Sequence, residues 1–300
     1  MQWGQIKSLL ILSFFVLDIY LFAQFLEKKE QADIGVLEHQ SSTVEEQLEA
    51  ESITFNDLPE EEYEETFISV EQRHFKEDEL KRDKPKKRQD SYIFNSNMIA
   101  SNMKKPQEVT VDKPEKLIDE IQDIVYYPEE YEFWNWNKEH NVLIFFQNKM
   151  DRPIYYNQHG IIIAFLNEKN EVTSYVQTML GETESLAEKR KLIEPLTAIE
   201  KIYEEGKLQT GDDITKVNIG FHTRVPIESG VQVFAPTWKV NVNEDKEYFV
   251  NAIEGFIFST HEEEFLDELM ESIVDKSNVT KKSDDALKDI EKDIKKRIQQ

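Results

Sequence analysis

The sequence predicts an α+β fold with largely antiparallel sheet, carried behind one N-terminal apolar helix. Three observations lead there. Residues 8–26 form a single long apolar run. A helix start at Pro114 is followed by strand-like segments, and the same order recurs from Pro195. Helices and strands in that sequence, without regular β-α-β alternation, describe an α+β domain.

The apolar run reads SLLILSFFVLDIYLFAQFL. At helical rise it spans ~28 Å, close to the hydrocarbon thickness of a bilayer. Asp18 near its centre costs about 2.5–3.5 kcal/mol on an insertion scale. Its 13 Leu, Ile, Phe and Val residues return on the order of 4–8 kcal/mol, so the helix is expected to insert. A cleavable signal peptide is the competing reading. It wants a shorter apolar region and small residues before the cut, and Leu21-Phe22-Ala23 fits poorly. Lys7 on one side and Lys28 and Lys29, offset by Glu27 and Glu30, on the other leave orientation open. The expected order is a head at 1–7, a transmembrane helix at 8–26 and a stalk at 27–52, then the exterior domain.

Asp18 has two readings. It is either a tolerated polar residue or a contact with a partner helix, since ionisable groups inside membranes tend to face a partner. Ser13, Leu17, Tyr20 and Gln24 share one helical stripe, and Asp18 lies roughly 130° around from it. These five residues are the candidate contact positions within the membrane.

Composition narrows the function classes. The chain has 300 residues, 60 acidic against 36 basic, and a formal charge of -24. That field opposes nucleic acid, whose affinity comes from counterion release to Lys and Arg. With no cysteine, disulfides, thiol catalysis and thiolate metal sites are excluded. The 18 Phe, 11 Tyr and 4 Trp supply enough apolar bulk for a core.

Along the exterior, a short helix is expected near 44–51. Residues 53–55 and 65–70 are short enough for edge strands. The run 76–88, dense in both charges, reads as a solvated face or loop. Asp112-Lys113-Pro114 opens a helix, with Asp112 as cap, Pro114 in the first turn, and Leu117, Ile118, Ile121 and Ile124 on one side. Strands follow at 131–137, 142–147, 160–166 and 171–177, the last two joined by a hairpin loop at 167–170. Pro195 opens a second helix that Gly206 stops. Strands at 214–224, 231–242 and 248–258 complete the domain, 53–258. The repeated order suggests two similar lobes, about 53–180 and 195–258. Residues 259–300 read as a solvated helical tail, with a coiled-coil contact as the sharper alternative.

Catalytic chemistry is not visible. His39, His74, His140, His159, His222 and His261 show no metal-ligand spacing, and no nucleophile elbow, phosphate loop or dinucleotide fingerprint occurs. No enzyme, cofactor or metal is therefore expected. Trp134 and Trp136 in EFWNWN alternate and so should share one strand face. Core packing is the plainer role for them, and a sugar-stacking platform the sharper one.

The N-terminus, with Trp3, Lys7 and Leu17-Asp18, resembles the YycI (WalI) family of two-component-system regulators. So do VEEQLEAESITFNDLP (44–59), ETFISVEQRHF, VFAPTWKVNV (233–242) and YFVNAIEG (248–255). The resemblance implies a single-pass protein of the cell membrane, its N-terminus cytoplasmic and its domain extracytoplasmic. It implies action beside a YycH-like protein on the WalK (YycG) sensor histidine kinase, with transmembrane helices in contact. An extracytoplasmic binding module for cell-wall polymer or peptide is the rival reading. The charged tail extends beyond where such a domain is expected to end.

Overall fold

A computed structural model describes residues 7, 10–22, 24, 43–55, 58–59, 61–82, 85, 89–223, 230–243, 246–258, 261–279 and 285–298. The chain divides into two compact units, residues 1–50 and 51–300.

In the first unit, residues 10–22 are helical (α1). Among the described residues no helix is long and apolar enough to cross a membrane. The described part of the apolar run is about 20 Å long, and residues 8–9, 23 and 25–26 lie outside the described residues, as does most of the expected stalk. α2 (Val44–Ala50) starts with a reciprocal cap. Glu46 N–H donates to Thr43 Oγ1 at 3.3 Å, and Thr43 N–H donates to Glu46 Oε2 at 3.0 Å. This satisfies two amides that the first turn would otherwise leave bare.

The second unit is built on β-structure. Its strands in chain order are β1 (Thr54–Phe55), β2 (Glu64–Glu65), β3 (Ile68–Gln72), β4 (Gln89–Phe94), β5 (Met98–Glu108), β6 (Tyr131–Asn137), β7 (Val142–Lys149) and β8 (Arg152–Tyr155). They continue with β9 (Ile161–Leu166), β10 (Glu171–Thr178), β11 (Leu180–Ser185), β12 (Arg190–Lys191), β13 (Asp213–Thr223), β14 (Val231–Val242), β15 (Lys246–Asn251) and β16 (Ile257–Phe258). The helices are α3 (Glu77–Arg82), α4 (Pro114–Ile121), α5 (Pro195–Glu204), α6 (Glu262–Val279) and α7 (Asp285–Ile298).

Among the described residues, fourteen strands form one sheet, ordered β11-β3-β14-β13-β8-β7-β9-β10-β5-β4 along its main path. Pairing is antiparallel except where β13 meets β1 and β8. Only Met179 separates β10 from β11, so one stretch of chain serves two distant places on that path. The short strand β3 lies between β11 and β14, an interior place rather than the expected edge.

The sheet's β7, β9 and β10 region is apolar on both faces. Leu143, Phe145, Ile162, Ala164 and Tyr175 pack with Leu117, Ile121 and Ile124 of α4 and its C-terminal extension. Val142, Ile144, Phe146, Ile161, Ile163 and Phe165 face the other way, into a cluster with Leu266, Leu269, Met270, Ile273, Ile290 and Ile294. Helices α6 and α7 are therefore a second cover of the sheet. The expected solvated tail is corrected, because its apolar stripe matches an apolar face that water would otherwise meet.

Four other expectations change. Lys113, not Asp112, is the N-cap of α4 and no side chain caps it; Pro114 takes the first helical position, which puts Asp112 one residue too early to reach the free amides. Residues 77–82 are helical, with Leu80 buried against the α4 side. The strand expected at 248–258 is a hairpin instead: Asn251 Oδ1 accepts from the Ile253 and Glu254 amides at 2.8 and 2.9 Å, and Gly255 turns at φ +74°. Finally, the β4–β5 hairpin was not expected at all. Its turn places Asn95 and Ser96 at φ 43° and 61°, in the left-handed region that Asn tolerates.

Two outcomes follow from this packing. Ending the chain after Phe258 uncovers the second face. Six buried side chains at about 1.5–3 kcal/mol each match a typical domain's whole stability, so the shortened chain should aggregate and lose near-UV circular dichroism. Second, a Cβ at Gly220 would clash with the Tyr155 ring and lie 2.8 Å from Pro153 O. Gly220→Ala should lower stability by about 1–3 kcal/mol in urea titration.

Candidate functional site

Two places carry the features that sequence reading and geometry single out, one in each unit. In the first unit, α1 exposes apolar side chains on every side, among them Ile11 (69%), Phe15 (61%), Ile19 (55%) and Phe22 (62%). A helix apolar all round is suited to surroundings that are themselves apolar. Ser13 Oγ donates to the carbonyl of Leu10 at 2.8 Å, so its hydroxyl is satisfied within the helix. Gln24 Nε2 donates to the Tyr20 hydroxyl at 3.1 Å, which places those two on one face at i,i+4 spacing. Leu17 lies between Ser13 and Tyr20 on the same stripe. Asp18 is exposed, about 130° around the helix from them.

In the second unit, a groove of about 630 Å³ opens beside the start of α6. Its construction begins in β6. A bulge interrupts the β6–β7 register between Phe133 and Asn135, and an extra residue in one strand changes which way the following side chains point. Trp134 consequently turns to the α6/α7 side and Trp136 to the α4 side. The expected shared face for the two tryptophans is corrected, because the bulge breaks the alternation on which it relied.

Trp134 is held from several sides. Phe146 lies 4.7 Å from it, Tyr155 5.4 Å and Tyr156 5.6 Å, centroid to centroid. The Lys239 ammonium sits 3.7 Å above its ring centroid, a cation–π contact strengthened by the loss of water around it. The indole N–H donates to Glu262 Oε2 at 3.2 Å, and Asn135 and Asn137 donate to the same carboxylate at 2.9 and 3.1 Å. Core packing is thus its observed role.

Lys239 itself stands on β14 with a side chain only 12% exposed, 2.7 Å from Glu247 on β15. Burial pushes its pKa below the ordinary lysine value, and the Glu247 carboxylate opposes that shift. Tyr156, on the wall of the groove, is held well above the usual phenol range, first by burial and then by Glu247 and Glu262. Its backbone is left-handed at φ 45°, a costly conformation for an aromatic residue that the surrounding structure must impose. Phe258 stacks on His222 at 4.3 Å. Burial lowers the His222 pKa to about 4, so the ring there is neutral at pH 7. Among the described residues no group of His, Asp and Glu is arranged to hold a metal ion.

Sequence reading picked out EFWNWN but not Lys239, Glu247 or Tyr156. One signal for Lys239 was present: it is a lone charge in the otherwise uncharged stretch VFAPTWKVNV. Only the β14–β15 register, which pairs Lys239 with Phe249 and Asn241 with Glu247, brings it to the acid.

In chain order, then, an apolar helix is followed by an α+β domain with a groove beside the start of α6. The family model described as YycI protein matches residues 31–253, and the chain belongs to the YycI family. That is a regulatory family, tied to the WalK (YycG) two-component system. The match ends before α6, so the second cover of the sheet lies beyond it. A solved structure, an uncharacterized protein from Eubacterium rectale ATCC 33656, is similar at TM-score 0.39 and 11% identity, over 70% of this chain and 91% of that one. No curated protein matches the chain.

His222 sets a pH dependence. Its folded pKa lies below the unfolded value of about 6.5, so the unfolded chain binds the extra proton. Its contribution is intact above about pH 6.5 and is lost as pH falls toward 4, at about 1.4 kcal/mol per unit. In denaturant titrations from pH 7.5 to 4.5, His222→Gln should lose less stability than the native chain. Parallel curves would refute this.

Proposed function

We propose that the chain is a single-pass membrane protein, N-terminus cytoplasmic and domain extracytoplasmic. In this reading it modulates the WalK (YycG) sensor histidine kinase together with a YycH-like protein, in cell-wall homeostasis signalling. Family membership over residues 31–253 carries the reading. The all-round apolar exposure of α1 supports the membrane part, because lipid is the surrounding in which such a surface is at no disadvantage.

The mechanism has to be energetic. A helix alters a kinase only by binding its signalling states with different affinity, and a coupling of about 1–3 kcal/mol changes activity ~5–150-fold. Asp18 is the residue best able to supply it. In hydrocarbon it costs about 2.5–3.5 kcal/mol, and a hydrogen-bonding partner helix recovers part of that. The stripe of Ser13, Leu17, Tyr20 and Gln24 offers a second face, suited to a second helix.

The test is co-purification from membranes of the intact chain with WalK and the YycH-like protein, together with kinase output. Asp18→Leu should keep the chain in the membrane, weaken kinase capture about tenfold, and shift output. Unchanged capture and output, for Asp18→Leu and for a Ser13→Leu/Gln24→Leu pair alike, sinks the helix-centred reading. A second reading, an extracytoplasmic binding module for a cell-wall polymer or peptide, is favoured by the Trp134–Tyr156 groove.

A further inference from the structure

The groove beside α6 is unusual in its balance of charge. In a chain of net charge -24, its carboxylates are already engaged. Of the three that line it, Glu262 accepts from Trp134, Asn135 and Asn137, Glu263 accepts from Asn137 and faces His140, and Glu247 takes Lys239 and the amide of Asn241. Its rim cations are much less so. Among the described residues, Lys207 approaches Glu205, and Lys246 approaches Asp212, each only at 3.9 Å. Both lysines line the groove, as do Tyr156, Ile257 and Phe258. An apolar floor thus lies beside two ammonium groups with charge to offer.

We propose that this groove binds a short peptide by its terminal carboxylate, with the last apolar side chain against Ile257, Phe258 and Tyr156. The proposal deepens the binding-module reading and stands apart from the kinase reading. Three features decide the ligand class. The Trp134 ring is already covered by Lys239 and hemmed by Phe146, Tyr155 and Tyr156, which disfavours a stacked sugar. The acidic field of the whole chain repels a polyanion but tolerates one carboxylate at a local pair of lysines. The bulge at Trp134 and the left-handed Tyr156 shape this wall at an energetic cost, and bulges and strained residues of this kind gather at ligand sites.

The experiment is calorimetric titration of the full chain in uncharged detergent with acetyl-Ala-Ala-Leu, its C-terminal amide, and inorganic phosphate. The free acid should bind saturably, with Kd in the range of about 10 μM to 1 mM. The amide, and the acid on a Lys207→Gln/Lys246→Gln chain, should each bind about tenfold more weakly, and Phe258→Ala should weaken the acid similarly. Equal binding of acid and amide, phosphate binding as tightly as the acid, or no saturable heat below about 10 mM overturns the proposal. The acid–amide comparison needs no variant, so a misfolded variant leaves it decisive. No kinase is in the cell, so failure here leaves the kinase reading standing.

Discussion

Strands β7 and β9 carry large apolar side chains toward both faces, and that doubles what the rest of the second unit must provide. Phe145 and Ile162 point one way, Phe146 and Ile161 the other, and all are at most 2% exposed. A sheet apolar on one face needs one layer over it; this one needs two. α4 is the first, short and started by Pro114. The second comes from the far end of the chain, where α6 and α7 bring Leu266, Met270 and Ile294 to full or nearly full burial. Strong acidity and a buried apolar stripe coexist in these helices because their charges sit on the opposite side. Glu264, Glu268 and Glu271 are exposed.

Polar contacts of the second cover gather around one turn. The turn between β6 and β7 accepts both helices: Asn137 donates to Glu262 and Glu263 of α6, and His140 Nε2 faces Glu263 and Asp267 at 3.5 and 3.4 Å. Arg297 of α7 donates to the carbonyls of His140, Asn141 and Leu166 at 2.6, 3.1 and 2.8 Å and pairs with Asp293 at 2.9 Å. Those carbonyls lie just before β7 and at the last residue of β9. A planar five-donor group suits such a convergence better than a lysine would. Positional precision comes from this polar clasp, while burial of the apolar stripe supplies most of the attraction.

Much of this was legible in the residues. The runs VLIFF at 142–146 and IIIAF at 161–165 lack any alternation, and a strand with no polar side is one covered twice. The apolar stripes from Phe265 to Val274 and from Ile290 to Ile298 were visible too. What stayed hidden was that the two facts answer each other, because pairing over more than a hundred residues leaves no local trace. Pro195 and Gly206 did mark α5 well, since φ preferences act locally: Gly206 stands at φ +68°. The β4–β5 hairpin escaped because MIASNMKKPQE has a polar second half with Pro106 in it, and its burial declines along the strand accordingly.

The groove was hidden for a related reason. Alternation in EFWNWN pointed to one shared face for Trp134 and Trp136, and a single inserted residue cancelled it. That bulge has two consequences at once. It sends Trp136 to the α4 side, where its indole N–H reaches Asn141 Oδ1 at 3.3 Å, and it turns Trp134 toward β14 and β15. Lys239 then has an aromatic face to rest on and an acid at 2.7 Å, without which a buried ammonium would be strongly disfavoured. Glu262, the first residue of α6, accepts the indole proton on the same ring. The groove wall and the attachment of the second cover therefore share Trp134, so a ligand that displaces this ring must also loosen the start of α6.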